Sequence, residues 1–452
     1  MRKAAASPAD SAADVLRSIP SVERILSTPA FVSLASEFGR ERVKDAVARH
    51  LASLREGRVE WDEAAAIAAV QARTAPKLRP VINATGVIIH TNLGRSPIDP
   101  RLWETAASVV TGYSNLEFDL EAGERGKRDE HLTEVCQSLF GCEAAILTNN
   151  NAAAVLLLLS AIAAKKEVVV SRGELVEIGG GFRVPDVIQQ GGAKLREVGT
   201  TNRTRARDYA EAITKRTAAI LRVHRSNFDI VGFTATPSVA ELVEVARAKK
   251  VPMLYDEGTG RVVDLAPYGF PAAPAIRELI GAGVDALTCS TDKLIGATQG
   301  GLILGSEEIV GRCRRHPLMR ALRAGKESYA VIGETLRAFA TAKHESAIPI
   351  YRMLATPIEE LRRRANDLAR GTTATVKDST AVLGGGTTPT ETIPSVALAV
   401  EGRATDLQRR FLGMTPPIVG RIVDEVFTLD LRTVLPEDLA AVRKALALKD
   451  EG

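Results

Sequence analysis

The chain has 452 residues, of which 45% are hydrophobic and 25% charged, and its formal net charge is +4. This length predicts two or three domains, and the composition is ordinary for a globular protein and excludes wholesale disorder. The longest apolar stretches, such as residues 152–164, are too short to cross a bilayer, and residues 4–13 lack the apolar core of a secretory signal. We therefore expect a cytoplasmic protein without a membrane partner.

The cysteines and the charge balance exclude further classes. The cysteines Cys136, Cys142, Cys289 and Cys313 have neither metal-ligand spacing nor the density of a disulfide framework. We expect them to be reduced and structural, and we expect no metal site. The mild excess of basic residues does not by itself indicate nucleic acid, and we expect no DNA partner.

Residues 1–75 are predicted to form a helical N-terminal domain. The apolar residues Val43, Val47, Leu51 and Leu54 recur on one face of a helix. The opposite face is basic, and the charge pattern alone fits a solvated surface of a small helical cap as well as a binding surface. The basic residues of this face are Arg40, Arg42, Lys44, Arg49, Arg55 and Arg58.

Residues 76–345 alternate between strand-like and helix-like segments. Strands separated by helical patterns of ten or more residues predict an α/β fold, in which a mostly parallel sheet carries helices on both faces. A smaller C-terminal α/β domain is predicted at residues 346–452, with strands at residues 395–400 and 426–431. The strands predicted in the large domain are residues 144–147, 168–171, 218–223, 251–256, 286–289 and 301–304.

Lys293 is the first candidate for covalent chemistry. It follows an apolar strand and lies among small residues such as Ser290 and Gly296, which allow close packing around it from several sides. Burial lowers the pKa of an amine and makes it a nucleophile that can form a Schiff base. A Schiff-base lysine is therefore one interpretation of this segment, and an ordinary surface lysine is the other.

Asp256 supplies the second group that pyridoxal phosphate (PLP) chemistry needs. It ends an apolar run and precedes Lys293 by enough residues for one crossover helix, predicted at residues 274–283, and a return strand. An acidic residue here would hold the pyridine nitrogen of PLP protonated, so that the ring accepts electrons. Asp256 alone could be a helix cap, but the pair in this arrangement favours a PLP site.

Two loops that follow strands supply candidate contacts to the cofactor. Asn149, Asn150 and Asn151 open a helical segment, where free backbone N–H groups and the helix dipole favour a phosphate. A plain N-cap is the alternative explanation for these asparagines. Farther along the chain, Ser226 or Asn227 is a candidate for a hydrogen bond to the cofactor ring, because an open parallel sheet places ligand residues after its strands.

A basic stretch at residues 312–326 contains no acidic residue, so we expect it to face solvent or an anion. Arg320 and Arg323 are three residues apart, and we expect them on one helix face, where their forked donors would grip a tetrahedral oxyanion. Arg95, in a loop bounded by glycine, is a candidate to join them. An anion site beyond the one for the cofactor phosphate indicates a phosphorylated or oxyanionic second substrate.

The chain resembles the bacterial selenocysteine synthases, the L-seryl-tRNA(Sec) selenium transferases. The matching motifs run nearly from end to end of the chain and include the helical N-terminal domain. They lie at residues 20–26, 83–95, 113–117, 171–180, 292–294 and 430–436.

The resemblance implies a PLP-dependent enzyme of fold type I that converts L-seryl-tRNA(Sec) to L-selenocysteinyl-tRNA(Sec). Serine carried on its tRNA would displace Lys293 and form an external aldimine, and the freed amine would remove the Cα proton. The β-hydroxyl would then leave, and selenium from selenophosphate would add to the resulting dehydroalanyl-tRNA. Asp292, beside the lysine, is implied as a further cofactor contact.

The resemblance also implies roles for the basic residues. Arg95, Arg320 and Arg323 match the positions that hold the phosphate of the selenium donor. The N-terminal domain would bind the tRNA through shape and backbone contacts, and the family forms homodecamers. The candidate tRNA contacts are Arg24, Arg40, Arg42, Lys44 and Arg49.

The chain departs from the family pattern near the expected cofactor. Glu257 follows Asp256 where the family tends to have leucine, and the added carboxylate could alter the charge balance at the ring. The segment 296–301 after the lysine also differs, as does Arg225. None of these differences removes a residue that has an assigned role.

Two other functions remain open. A related PLP lyase that removes ammonia or water from a small phosphorylated amino compound would use the same lysine and arginines, although it would not need a basic N-terminal domain. A noncatalytic tRNA-binding protein would keep the fold without the cofactor, although the intact Asp256 and Lys293 argue against it.

Overall fold

The computed structural model describes residues 19–57, 59–74, 76–178, 181–385 and 387–447. Arg58 of the predicted basic face, and residues 179–180 of one matching motif, lie outside the described residues. The chain divides into two compact units, Met1–Pro80 and Val81–Gly452. The assignment of residues 1–75, 76–345 and 346–452 to three domains stays a prediction.

The first unit is helical, as the sequence predicts. The helix Arg40–Gly57 buries Val43, Val47 and Leu51 on one face, and Leu54 packs against the same core while partly exposed. Ser21 caps the helix Val22–Leu26 by accepting a hydrogen bond from the backbone N–H of Arg24. The helices among the described residues of this unit are Val22–Leu26, Pro29–Phe38, Arg40–Gly57 and Glu63–Thr74.

The second unit alternates strands and helices. In chain order the strands are β1 (Ile82–Asn83), β2 (Phe118–Asp119), β3 (Glu124–Arg125), β4 (Ala144–Thr148), β5 (Glu167–Ser171), β6 (Glu177–Ile178), β7 (Phe182–Arg183), β8 (Lys194–Val198), β9 (Thr217–Val223), β10 (Met253–Asp256), β11 (Ala286–Ser290), β12 (Gly301–Gly305), β13 (Thr375–Gly384), β14 (Thr388–Val400), β15 (Ile418–Val419), β16 (Arg421–Val423) and β17 (Val426–Asp430). The helices are Pro100–Thr111, Glu130–Phe140, Asn151–Ala163, Val184–Gln190, Ala206–Ala212, Val239–Lys249, Ile276–Gly281, Glu307–Arg315, Leu318–Leu322, Lys326–Ala340, His344–Ala347, Pro349–Ala355, Ile358–Ala369, Ala404–Leu412 and Leu439–Ala447. None of the described helices combines the length and apolarity needed to cross a membrane.

A seven-stranded sheet with the order β4-β12-β11-β10-β9-β5-β8 forms the centre of this unit. The pairs from β11 to β8 are parallel, and β12 is antiparallel to both of its neighbours. The ten residues 291–300 that join β11 to β12 are too few for a crossover helix, so the chain must turn back. Lys293 lies in this connection. The prediction of a mostly parallel sheet is therefore confirmed.

Helices cover both faces of the sheet, as predicted. Alternate residues of β4 show the arrangement, since Ala145 and Leu147 belong to one hydrophobic core while Ala144 and Ile146 belong to the other. The six predicted strands are all present, with ends that differ by at most two residues. The sequence missed β8, an edge strand whose side chains are mostly exposed and charged.

The C-terminal part of the unit contains an antiparallel sheet in the order β13-β14-β17-β16. At the end of β17 the buried carboxylate of Asp430 accepts hydrogen bonds from Ser395 at 2.6 Å and Ser379 at 2.8 Å. Gly86 packs so closely on Asp430 that a Cβ there would lie 2.8 Å from the carboxyl carbon. This contact anchors the segment that leads to Arg95.

Candidate active site

A cavity of about 260 Å³ opens at the carboxyl ends of the parallel strands. Asp256 reaches it from the end of β10, Lys293 from the loop after β11, and Ser226 from the segment after β9. Carboxyl ends of parallel strands meet at one edge of the sheet, which is where open α/β sheets bind ligands. The lining residues are Arg95, Asn150, Asn151, Ala152, His224, Ser226, Asp256, Glu257, Gly258, Ser290, Asp292, Lys293 and Gln299.

Asp256 is buried and held by two neighbours. Its Oδ1 accepts hydrogen bonds from Asn151 Nδ2 and from Thr288 Oγ1, each at 2.9 Å. Burial raises the pKa of Asp256, while these two hydrogen bonds and the positive charge of Lys293 act in the opposite direction. The carboxylate is therefore costly to bury, and its ionisation depends on these partners.

Lys293 is half-buried, and its Nζ donates a hydrogen bond to the carbonyl of Gly258 at 3.3 Å. Desolvation lowers the pKa of Lys293, and the carboxylates of Asp256 and Asp292 oppose the shift. The loop around it is fixed by Thr291, whose hydroxyl donates to the carbonyl of Thr298 at 2.6 Å. A lysine with a lowered pKa in a rigid loop is suited to nucleophilic chemistry.

Arg95 is positioned against this loop. Its backbone has a left-handed φ of 65°, unusual for a residue with a side chain, and its guanidinium forms an ion pair with Asp292. The adjacent Ser96 donates from its hydroxyl to the carbonyl of Lys293 at 2.7 Å. The loop with Arg95 and the loop with Lys293 thus hold each other in place.

Glu257, the residue that departs from the family pattern beside Asp256, finds its hydrogen-bond partners within its own loop. Its carboxylate accepts hydrogen bonds from the hydroxyl of Thr259 and from the backbone N–H of Gly260, the latter at 2.6 Å. Glu257 is buried and lines the cavity. These hydrogen bonds give its charge local partners inside the loop.

The three asparagines after β4 have different roles. Asn150 is the N-cap of the helix Asn151–Ala163 and accepts from the N–H of Ala153 at 2.9 Å. Asn151 points to Asp256, as described above. Asn149 is exposed and does not line the cavity, and its backbone N–H donates to the carbonyl of Leu322. The structure thus brings two of the three predicted asparagines to the cavity.

Ser226 and Asn227 also lie in different surroundings. Ser226 is buried and lines the cavity. Asn227 is exposed, and its side-chain amide donates to the carbonyl of Glu177 at 2.6 Å. His224 lines the cavity with Nε2 3.3 Å from the carbonyl of Thr387. Of the two residues that the sequence offered for the cofactor ring, only Ser226 lines the cavity.

Arg320 and Arg323 do not line this cavity. The prediction that they share a helix face is wrong, because the helix Leu318–Leu322 ends before Arg323. Arg323 is extended there, and its backbone forms an antiparallel bridge with Thr148 at the end of β4. Arg320 is exposed, whereas the Arg323 guanidinium donates to Glu117 at 2.8 Å.

The basic stretch also faces carboxylates from elsewhere in the fold. Arg314 pairs with Asp129 at 2.6 Å and with Glu307 at 2.8 Å. The expectation that the whole stretch faces solvent or an anion is therefore wrong at Arg314. Both acidic partners lie outside the stretch: Asp129 is distant in sequence, whereas Glu307 lies about two turns earlier on the same helix.

The candidate tRNA contacts of the first unit are all exposed. Some have protein partners, since Arg49 pairs with Asp45 at 2.9 Å and Arg42 donates to the carbonyl of Thr74 at 3.0 Å. Arg40 lies 3.5 Å from Glu23. The remaining candidates are Arg24 and Lys44.

Several residues of the cavity wall were not predicted to contact a cofactor or substrate. Gly258, Ser290 and Gln299 line the cavity, and each belongs to the segment after Asp256 or the segment around Lys293. Their closeness to those two residues is the signal that could have found them. Among the described residues there is no group of histidines, cysteines and carboxylates able to hold a metal ion, and the four cysteines are free and buried.

Comparisons with known proteins identify the family. A family model described as "L-seryl-tRNA selenium transferase" matches residues 81–435, and one described as "Selenocysteine synthase N terminal" matches residues 16–55. The chain belongs to the L-seryl-tRNA selenium transferase family. The resemblance inferred from sequence motifs is thereby confirmed.

Relatives that carry this family's name match both units. The L-seryl-tRNA(Sec) selenium transferase of Geobacter sulfurreducens is 45% identical over 95% of this chain and 98% of the relative. That of Carboxydothermus hydrogenoformans is 39% identical over 96% of this chain and 97% of the relative. A solved structure of D-glucosaminate-6-phosphate ammonia-lyase covers 82% of this chain and 95% of its own, with a TM-score of 0.61 and 22% identity. The last likeness shows the fold alone.

Selenium transferases of this family depend on PLP, which confirms the predicted cofactor. The residues of the cavity fit this group. Asp256 offers a buried carboxylate, and Lys293 offers an amine with a lowered pKa. Within the described part of the chain, Oδ1 of Asn151 is buried without a hydrogen-bond partner. Buried polar atoms are normally satisfied, so this oxygen indicates a missing donor at the cavity.

Proposed function

We propose that this chain converts L-seryl-tRNA(Sec) to L-selenocysteinyl-tRNA(Sec) and takes selenium from selenophosphate. The observation that carries the proposal is the pair Lys293 and Asp256 at one cavity, in a chain whose like-named relatives match both units. When bound, PLP supplies an electron sink that makes the Cα proton of serine acidic and allows its β-hydroxyl to leave.

Asp256 is proposed to hold the proton on the pyridine nitrogen. A carboxylate stabilises that proton only while it is ionised, and the hydrogen bonds from Asn151 and Thr288 favour the ionised form. Ser226, which lines the cavity, is proposed to orient the ring. These residues bind and orient the cofactor and take no proton from the substrate.

Lys293 is proposed to hold the cofactor through Nζ and, once displaced by the seryl group, to move the Cα proton. Its lowered pKa increases the fraction of unprotonated amine at neutral pH, which is the form that accepts a proton. The hydrogen bond between Ser96 and the Lys293 carbonyl keeps this loop from moving away during the transfer. Asp292, paired with Arg95, supports the same geometry.

Arg95, Arg320 and Arg323 are proposed to bind the selenium donor. Arg95 already lines the cavity, and a guanidinium matches the geometry of a phosphate. Arg323 lies beside Thr148, at the strand end from which Asn150 enters the cavity wall. This arrangement supports a donor site at the rim of the cavity.

The first unit is proposed to bind the tRNA. Its exposed basic residues would contact phosphates, which gives affinity that depends on salt concentration. The family model for the N-terminal region matches residues 16–55, where these residues lie. A small phosphorylated substrate would need no such surface. We place the activity in the cytoplasm, where tRNA is charged.

We also infer that the chain assembles with copies of itself, as a homodecamer. Large apolar side chains stand exposed within one stretch of the second unit, and such side chains commonly mark protein interfaces. They are Trp103 (46% exposed), Tyr113 (108%), Phe118 (47%) and Leu120 (73%). Native mass spectrometry tests this proposal: ten subunits are expected, and a stable monomer at micromolar concentration would contradict it.

The decisive experiment incubates the full chain and PLP with seryl-tRNA(Sec) and selenophosphate and measures selenocysteinyl-tRNA(Sec). Parallel reactions contain a small phosphorylated amino compound in place of the tRNA. Formation of selenocysteinyl-tRNA(Sec), without turnover of the small compound, supports the proposal. Efficient turnover of the small compound without any selenocysteinyl-tRNA(Sec) would favour the lyase instead.

A further inference from the structure

The carboxylate of Glu117 joins three arginines from different parts of the second unit. Its Oε1 accepts hydrogen bonds from Arg128 Nε at 2.6 Å and from Arg323 Nη1 at 2.8 Å, and its Oε2 accepts from Arg125 Nη2 at 3.4 Å. The hydrogen bond from Arg128 lowers the pKa of Glu117 most, and the charges of the arginines add to this effect. Glu117 is therefore ionised at neutral pH and fixes the direction of the Arg323 side chain.

The same cluster also fixes the main chain around Arg323. Arg128 donates from Nη1 to the carbonyl of Ala324 at 2.7 Å, one residue beyond Arg323. On the other side, the backbone of Arg323 forms its bridge with Thr148. Arg323 is thus held through both its backbone and its side chain, which is unusual for a long cationic residue that is 26% exposed.

We propose that Glu117 is a positioning residue for the selenium donor. It engages one nitrogen of Arg323 and so aims the other N–H groups of the guanidinium at the oxyanion. A guanidinium has five N–H donors in a rigid fork, so this contact leaves enough of them for bidentate hydrogen bonding to the oxyanion. Three arginines around one carboxylate also leave an excess of positive charge. The inference rests on the proposed function, in which Arg323 binds selenophosphate.

Two effects of Glu117 on donor binding have opposite signs. As a negative charge near the site, Glu117 repels the donor, so its neutralisation would lower the KM for selenophosphate if only the electric field mattered. As the group that orients Arg323, it favours donor binding, so its neutralisation would raise that KM. The direction of the change therefore separates a positioning role from a simple charge effect.

The test compares full-length Glu117→Gln with Glu124→Gln, first at saturating seryl-tRNA(Sec) and varied selenophosphate, then at saturating selenophosphate and varied seryl-tRNA(Sec). Glu124 carries the same charge on the same hairpin, is exposed, and has no side-chain partner among the described residues. For Glu117→Gln we expect the KM for selenophosphate to rise about tenfold while the KM for seryl-tRNA(Sec) stays unchanged. Glu124→Gln is expected to match the wild type.

An unchanged or lower KM for selenophosphate in Glu117→Gln, with an active wild type, would overturn this inference and leave the proposed function standing. If the wild type made no selenocysteinyl-tRNA(Sec), the proposed function and this inference would both fail. Glu117→Asp covers the case in which the glutamine variant does not fold. It keeps the charge but shortens the reach to Arg323, so we expect a several-fold rise in the same KM, and wild-type values would overturn the inference.

Discussion

The side-chain amide of Asn151 donates a 2.9 Å hydrogen bond to Oδ1 of Asp256, and so ties the start of a helix to the end of β10. The same oxygen accepts from Thr288 on β11 at an equal distance. Burial raises the pKa of Asp256, and these two donors oppose the rise. Two neutral neighbours thus help to keep the carboxylate ionised where the proposed chemistry needs its charge.

Thr288→Val should shift the acid side of the pH profile. The substitution keeps the volume but removes one donor to the ionised carboxylate, so the pKa of Asp256 rises further. The acid limb of kcat should therefore move to higher pH, and kcat on the acid side of that limb should fall roughly ten- to hundredfold, since such a bond contributes about 1.5–3 kcal/mol. The measurement is the pH dependence of kcat between about pH 5 and 8.

The matched control for that experiment is Thr335→Val. Thr335 is equally buried, and its hydroxyl donates to a helix carbonyl, that of Val331. It should leave the pH profile unchanged. An acid limb that stays in place in Thr288→Val would show that the hydroxyl does not govern the ionisation of Asp256.

Lys293→Ala should remove the covalent link to the cofactor and reduce turnover by roughly three orders of magnitude or more. The visible absorbance of the purified holoenzyme reports the link, and product formation reports turnover. Lys377→Ala changes an exposed lysine on β13 and should retain both. A colourless wild type that still bound tRNA would instead support the noncatalytic tRNA-binding function.

Local patterns predicted much of the site. The sequence correctly predicts Asp256 at the end of a strand and Lys293 after one, because an apolar run followed by small and polar residues marks a strand end. Parallel strands end at the same edge of their sheet, so residues that follow them meet. This reasoning needs only the order of the elements and no knowledge of side-chain contacts.

Contacts between distant segments could not be predicted in the same way. The hydrogen bond from Asn151 to Asp256 joins residues on different elements, and nothing local distinguishes Asn151 from Asn149. The helix before Arg323 ends at Leu322 although its sequence is suited to continue, and the backbone bridge from Arg323 to Thr148 holds the extended conformation. Tertiary contacts thus override local propensity.

Charge reversal in the first unit tests its proposed role in tRNA binding. Arg24 and Lys44 are exposed, and neither side chain has an ion-pair partner among the described residues. The double variant Arg24→Glu with Lys44→Glu should raise the KM for seryl-tRNA(Sec) roughly 10- to 100-fold and leave kcat unchanged. The salt dependence of that KM should also become weaker, because fewer phosphate contacts release fewer counterions.

The control for charge reversal is Lys215→Glu, which changes an exposed turn residue of the second unit. It should leave the KM for seryl-tRNA(Sec) and its salt dependence as in the wild type. An unchanged KM in the double variant would remove these two residues from the tRNA-binding surface.

Gly301→Ala should disturb the cavity through backbone crowding. Gly301 begins β12, and a Cβ there would overlap the carbonyl of Asn150 and lie 2.7 Å from the backbone nitrogen of Asn151. The start of that helix would have to move, and with it the amide that reaches Asp256. We expect a loss of about 1–3 kcal/mol in the free energy of unfolding, as for other overpacked sites, together with weaker PLP binding. Denaturant unfolding and PLP titration measure the two effects.

The control is Gly281→Ala, where an added Cβ meets nothing within 4 Å at the exposed end of the helix Ile276–Gly281. That variant should be neutral or slightly stabilised. Wild-type stability and PLP affinity in Gly301→Ala would show that this contact does not position the cavity wall.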